Sequence, residues 1–178
     1  MKKFLFVLLL SLLFTSNLSA NTKDKNFLIK FDGICVQNID KIELVNSFAQ
    51  SSNWMAIPPE QQALIAPRTK GPGFKAYGFM EEKIVYMIAI NDAESTNTCA
   101  IASMYDSIEN FKVILNEFYK LRLIETMKQG IQNMEFYNID LIQSDKKGML
   151  HLNYSEQEGY EFATITVMLP RNWLKHFN

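Results

Sequence analysis

The chain predicts an α+β fold, a mainly antiparallel sheet of about six strands with two main helices, in the order helix then three strands, twice. Three observations carry that expectation. Apolar residues recur at helical spacing around 39–49 and again around 108–121. Each stretch is followed by three short runs rich in β-branched and aromatic residues. Turn clusters separate those runs: "MEEK", "DAESTN", "SDKKG" and "SEQEG". Each helix has one apolar stripe to bury, so both pack most economically on the same side of the sheet.

The N-terminus stands apart from this pattern. "MKKFLFVLLLSLLFTSNLSA" has a basic start at Lys2 and Lys3, an apolar run from Phe4 to Phe14, and a small-residue end. That is the layout of a secretory signal peptide, with an apolar core too short for a bilayer-spanning helix of about 20 residues. Residues 1–20 are expected to be removed between Ala20 and Asn21, leaving 21–178 as a single domain. Removing Lys2 and Lys3 takes the 18 basic residues to 16 against 19 acidic ones, a balance of −3. No basic block suggests nucleic acid, no later segment is apolar enough to anchor in a membrane, and periplasm or secretion is the expected destination.

From the start of the domain, "NTKDKN" reads as a polar leader, and "FLIKFDGIC" (27–35) fits a short strand or a helical turn equally. "NIDKIELVNSFAQSSN" is the first helix, with Asp40 and Glu43 as a capping box and Ile39, Ile42, Val45, Phe48 and Ala49 on one face. Pro59 is placed to open a short helix carrying Ala63, Leu64 and Ile65, and "KGPGF" enforces a loop. Strands follow at about 74–79, 84–91 and 98–104. The 84–91 run, "IVYMIAIN", is apolar on both faces, which points to a strand covered on both sides. Asp106 and Glu109 form a second capping box ahead of a stripe from Ile108 to Leu121. "IETMKQGIQN" fits a helical extension or a loop. Three last strands are expected at about 134–142, 149–154 and 160–169.

Cys35 and Cys99 both remain after cleavage, and an exported pair of thiols normally becomes a disulfide. A sharper reading makes Cys99 a nucleophile, His151 its base and Asn153 the orienter, the chemistry of a cysteine hydrolase. Against it, "TCAIASM" reads as a strand, without the helix N-terminus or neighbouring cation that lowers a thiol pKa. No pair of Cys or His has zinc-ligand spacing, "KGPGF" lacks the phosphate-loop pattern, and Asp92 with Glu94 lacks the glycine of a calcium loop. No metal and no cofactor is expected. Trp54, Phe74, Tyr77 and Tyr86 are close enough in sequence to form a candidate binding surface. Trp173, Leu174 and Phe177 give the C-terminus an apolar tail that is expected to dock on the domain itself.

Cys35 ahead of a helix, Pro58–Pro59, Gly73 with "FKAYGF", and "TCAIAS" leading to "SIENFKVIL" form an outline over about residues 34–122. In this outline the chain resembles a family of small exported bacterial proteins and lipoproteins of uncharacterised function, defined by two cysteines. The resemblance implies an envelope location and pairing of the two cysteines, and it carries no activity. The lipid-attachment cysteine of some members is missing here, which argues against a membrane tether. Together these readings give the functional expectation. The chain is an exported, non-catalytic binding protein acting on another envelope protein, as an inhibitor or immunity-type antagonist. The alternatives are the Cys99–His151 hydrolase and a carrier of a small apolar ligand.

Overall fold

The computed structural model describes residues 22–65, 73–93, 95–141, 146–159 and 161–170. The expected signal peptide, the expected Ala20–Asn21 cleavage site and the tail with Trp173, Leu174 and Phe177 lie outside the described residues. Helix α1 covers residues 22–34 and is followed by a 3₁₀ helix at Val36–Lys41 and by α2 at Glu43–Ser51. A two-residue strand β1 (Met55–Ala56) and a short helix α3 (Pro59–Ile65) lead into three strands. These are β2 (Phe74–Glu81), β3 (Ile84–Asp92) and β4 (Thr96–Met104). After α4 (Ile108–Phe118) come β5 (Arg122–Gln129), β6 (Gln132–Leu141), β7 (Lys146–Ser155) and β8 (Phe162–Pro170).

The sheet therefore has eight strands rather than six, in the order β1-β2-β3-β4-β8-β7-β6-β5, and every pairing is antiparallel. The described residues hold four α-helices rather than two main ones. The α+β class stands, but helix-then-three-strands does not describe either half. Two of the added elements have clear physical causes. "IETMKQ" belongs to β5, an edge strand with all eight residues exposed, so burial left no alternation to read. Residues 22–34 are helical, and the polar leader is its first turn. Asp24 in that turn is buried, and its carboxylate accepts the backbone N–H groups of Asp106 and Ser107 at 2.9 and 3.4 Å.

Helices α1, α2 and α4 and the 3₁₀ helix pack on one face of the sheet. Phe27, Leu28 and Phe31 of α1, Ile39, Ile42, Val45 and Ala49, and Ile108, Phe111, Ile114 and Leu115 of α4 are buried. They meet Ile88 and Ile90 of β3, Ile101 of β4, Leu150 and Leu152 of β7, and Ile165 and Val167 of β8. Phe48 departs from the expected buried stripe: it is half exposed and meets the Trp54 ring edge-on at a centroid separation of 5.2 Å. Both expected capping boxes shift. Ile42 occupies the N-cap of α2 and makes no side-chain cap bond, while Ser107, not Asp106, caps α4 by accepting the Asn110 N–H. Asp106 pairs instead with Lys23 at 2.6 Å.

Cys35 and Cys99 are fully buried and disulfide-bonded, with Cα atoms 5.3 Å apart. The bridge pins the junction of α1 and the 3₁₀ helix to the middle of β4, a central strand. One residue pair supports it nearby: Asn97 Nδ2 donates to the Ile39 carbonyl at 2.8 Å. Gly73 enters β2 so close to β3 that a Cβ there would lie 2.3 Å from the Asp92 carbonyl oxygen, a distance only glycine avoids.

Candidate functional site

Side chains alternate across a strand, so the residues interleaved with the buried apolar ones form a second sheet face, away from those helices. On this distal face, register sets side chains into rows. One row runs Phe136–His151–Thr166–Ala100–Ala89–Ala76, across β6, β7, β8, β4, β3 and β2. The next runs Met134–Asn153–Thr164–Ala102–Met87–Gly78 over the same strands. Both rows have small residues at their centre, and larger ones stand around them.

The result is a trough of about 530 Å³. Ala89, Ala100, Ala102, Thr164 and Thr166 lie along its floor, Phe74, Met87, Ile131 and Phe162 flank it, and His151 and Asn153 close one end with Gln132 and Ser155. From Phe74 on β2 to His151 on β7 is four interstrand steps, about 19 Å at roughly 4.8 Å each. None of the described residues lining it carries a formal charge at neutral pH when His151 is neutral.

His151 is held against the Phe136 ring, stacked at a centroid separation of 4.5 Å with 6° between the planes. Burial depresses its pKa below the usual 6.5, so the imidazole is neutral at pH 7. Two polar atoms here are buried without a hydrogen-bond partner, Nε2 of His151 and Oδ1 of Asn153. Such atoms are costly when left unpaired, which marks this end of the trough as the place where a ligand has most to offer.

The methionines mark the same face. All eight methionines among the described residues lie on it: Met55, Met80, Met87, Met104, Met127, Met134, Met149 and Met168. The helix-side core is built instead from Ile, Leu, Val, Phe and Tyr. Met side chains are unbranched and polarizable, and they adapt to partners of irregular shape. Sequence reasoning did not single them out. Their shared strand parity was the available signal, interleaved with the branched residues of β3, β4, β7 and β8.

The sequence-derived candidates separate. Cys99 pairs in register with Val167 on the helix side of the sheet, while His151 and Asn153 face the trough. With its sulfur in the disulfide and the sheet between them, Cys99 and His151 form no nucleophile–base pair. Trp54, Tyr77 and Tyr86 stand on the helix side. Trp54 stacks on Phe79 at 4.5 Å, Phe79 stacks on Tyr86 at 5.0 Å, and the buried Tyr77 hydroxyl donates to Asn46. Of the four expected surface aromatics, only Phe74 reaches the trough. The 84–91 strand is covered by helices on one face alone, and Met87 and Ala89 on its other face line the trough. Glu94 lies outside the described residues.

A second polar cluster sits on the helix side. Lys112 Nζ donates to Glu135 Oε1 at 2.5 Å and to the Tyr154 hydroxyl at 2.7 Å. Tyr154 and Tyr137 also donate to the Glu135 carboxylate. Burial works to raise the Glu135 pKa, but these hydrogen bonds and the Lys112 charge outweigh it, and the net shift is downward. Every group is partnered within the cluster, which ties α4 to β6 and β7.

Among the described residues, no helix is long and apolar enough to cross a membrane. Comparison with protein-family models, curated proteins and solved structures returned no match, so the chain's own geometry carries the functional argument.

Proposed function

We propose that this chain is a non-catalytic binding protein of an oxidising compartment outside the cytoplasm, the periplasm or the exterior, and that it carries a small apolar ligand in the distal trough. The observation that carries this reading is the trough itself, floored by small residues, flanked by aromatic and methionine side chains, and ending at two unpartnered polar atoms. The buried disulfide supports the compartment, because such bonds persist where thiols are not kept reduced. No cofactor or metal enters the reading.

The test is native mass spectrometry of the full chain purified from the periplasm, together with uptake of a fluorescent apolar probe by the delipidated protein. The expected result is a co-purifying ligand, or saturable probe uptake that Ala100→Leu suppresses by filling the floor. A protein that is empty as isolated and also takes up no probe overturns the reading. A second reading keeps an envelope protein, of the kind an inhibitor or immunity protein antagonises, as the partner. The exposed Met80, Val85 and Met104 favour it, standing beside the trough at one end of the strands. If Val85→Lys abolished binding of that partner and left probe uptake intact, the second reading would gain.

A further inference from the structure

Resting on the ligand-carrier reading above, we infer that the trough selects an uncharged, single-chain amphiphile, with its polar group at His151 and Asn153 and its chain along the alanine floor. Three observations converge. The first is charge. Among the described lining residues there is no Lys, Arg, Asp or Glu, so an ionised headgroup entering the trough is stripped of water and meets no opposite charge. A carboxylate is the worst case, because Asn153 Oδ1 also confronts it with an acceptor.

The second is the pair of buried atoms. Oδ1 of Asn153 can only accept, so the ligand atom beside it must be an O–H or N–H donor. Nε2 of the neutral His151 lies two residues along the same strand and serves as donor or acceptor according to tautomer. A hydroxyl or a primary or secondary amide meets both demands without charge. Phe136 holds the imidazole plane from one side, so the polar end is fixed while the rest of the trough is not.

The third is shape. About 19 Å separates the polar end from Phe74, and the floor between them is two adjacent rows of mostly alanine and threonine, bordered by Met149 and Met168 on one side and by Phe162 and Met104 on the other. That profile suits an extended alkyl or acyl chain better than a fused ring system. Methionines bordering the floor, Met87 and Met168 among them, adjust to chains of different length.

The experiment is competitive displacement of a bound fluorescent apolar probe from the full mature chain at pH 8. The competitors are tetradecanol, tetradecanamide, methyl tetradecanoate and tetradecanoate, all below their aggregation limits. The alcohol and amide are expected to displace at concentrations about tenfold lower than the ionised acid and the donor-free ester. In Asn153→Leu, which keeps the volume and removes the acceptor, the preference for the amide over the ester is expected to vanish. Tetradecanoate binding as tightly as the amide, or a preference that survives Asn153→Leu, overturns the inference while leaving the carrier reading in place. If the parent protein binds neither probe nor competitor, the carrier reading itself falls. The comparison of competitors on the parent decides the point even if the variant does not fold.

Discussion

Removing the Cys35–Cys99 bridge is expected to cost about 4 kcal/mol of folding stability without destroying the trough. The bridge joins residues 64 apart in sequence. In the chain-entropy model a loop of that length restricts the unfolded ensemble by about 4 kcal/mol, between the values for short and hundred-residue loops. That is a large share of a single domain's total stability, typically about 5–15 kcal/mol. The assay is equilibrium urea unfolding of the oxidised protein and of the same protein held in dithiothreitol, followed by circular dichroism. With a slope of about 2 kcal/mol per molar, the reduced protein's midpoint is expected to fall by roughly 2 M. Cys99 projects to the helix side, between Thr98 and Ala100 on the trough side, so the reduced protein is expected to retain probe binding under native conditions. A stability loss under about 1 kcal/mol would refute the reasoning. It would mean that the reduced unfolded chain stays compact around the two cysteines, so that the staple closes a loop which is scarcely open.

Four further outcomes follow from particular contacts. Glu135→Gln is expected to cost about 2 kcal/mol at pH 7, since it weakens charge-assisted bonds from Lys112 and two tyrosines. Because folding lowers that carboxyl's pKa, its contribution is present above about 4.5 and disappears as pH falls through the folded value, so parent and variant should converge in acid unfolding curves. His151 should titrate below 6.5 by NMR, with the midpoint rising toward 6.5 in Phe136→Ala. As its folded pKa is the depressed one, it takes stability away when pH drops below 6.5. Lys83→Gly is expected to stabilise by up to about 1 kcal/mol in thermal melts, since Glu82 and Lys83 form the β2–β3 turn at φ of 50° and 68°, where a side chain is strained. Gly73→Ala should destabilise by about 1–3 kcal/mol, because the new Cβ collides with backbone rather than with a side chain that can move.

How much of this was legible in the sequence depends on whether one surface of each element was buried. Strands β2, β3, β4, β6, β7 and β8 were readable nearly to their ends, because their turns are marked by charge and glycine. Helix α4 declared itself by Ile108, Phe111, Ile114 and Leu115, all buried. β5 gave no such signal, since none of its residues is buried and a bulge between Leu123 and Glu125 breaks its alternation. The start of α1 was hidden for the opposite reason. Its polar Asp24 is structural: it is buried as the acceptor for the backbone N–H groups of Asp106 and of the α4 N-cap Ser107, a contact between residues some 82 positions apart. For the site, His151 and Asn153 were visible as chemistry-bearing residues, but the partner weighed for them, Cys99, lies on the other face of the sheet. Sequence order placed them after Cys99, whereas strand parity turns them away from it.

The segment "TNTCAIASM" shows why that parity matters more than proximity. As β4 it alternates, one residue at a time, between two tasks. Asn97, Cys99, Ile101 and Ser103 face the helices, where they bond the 3₁₀ helix, close the disulfide and fill the core. Thr98, Ala100 and Ala102 face the trough. The helix side requires residues that hold, and the trough side requires residues small enough to leave room. A one-residue slip in register would exchange the two sets, burying threonine under the helices and projecting the cysteine into the trough. The ladders to β3 and β8 on either side hold that register, and the disulfide at the strand's centre agrees with it, tying Cys99 to the helix layer on the face opposite Ala100 and Ala102.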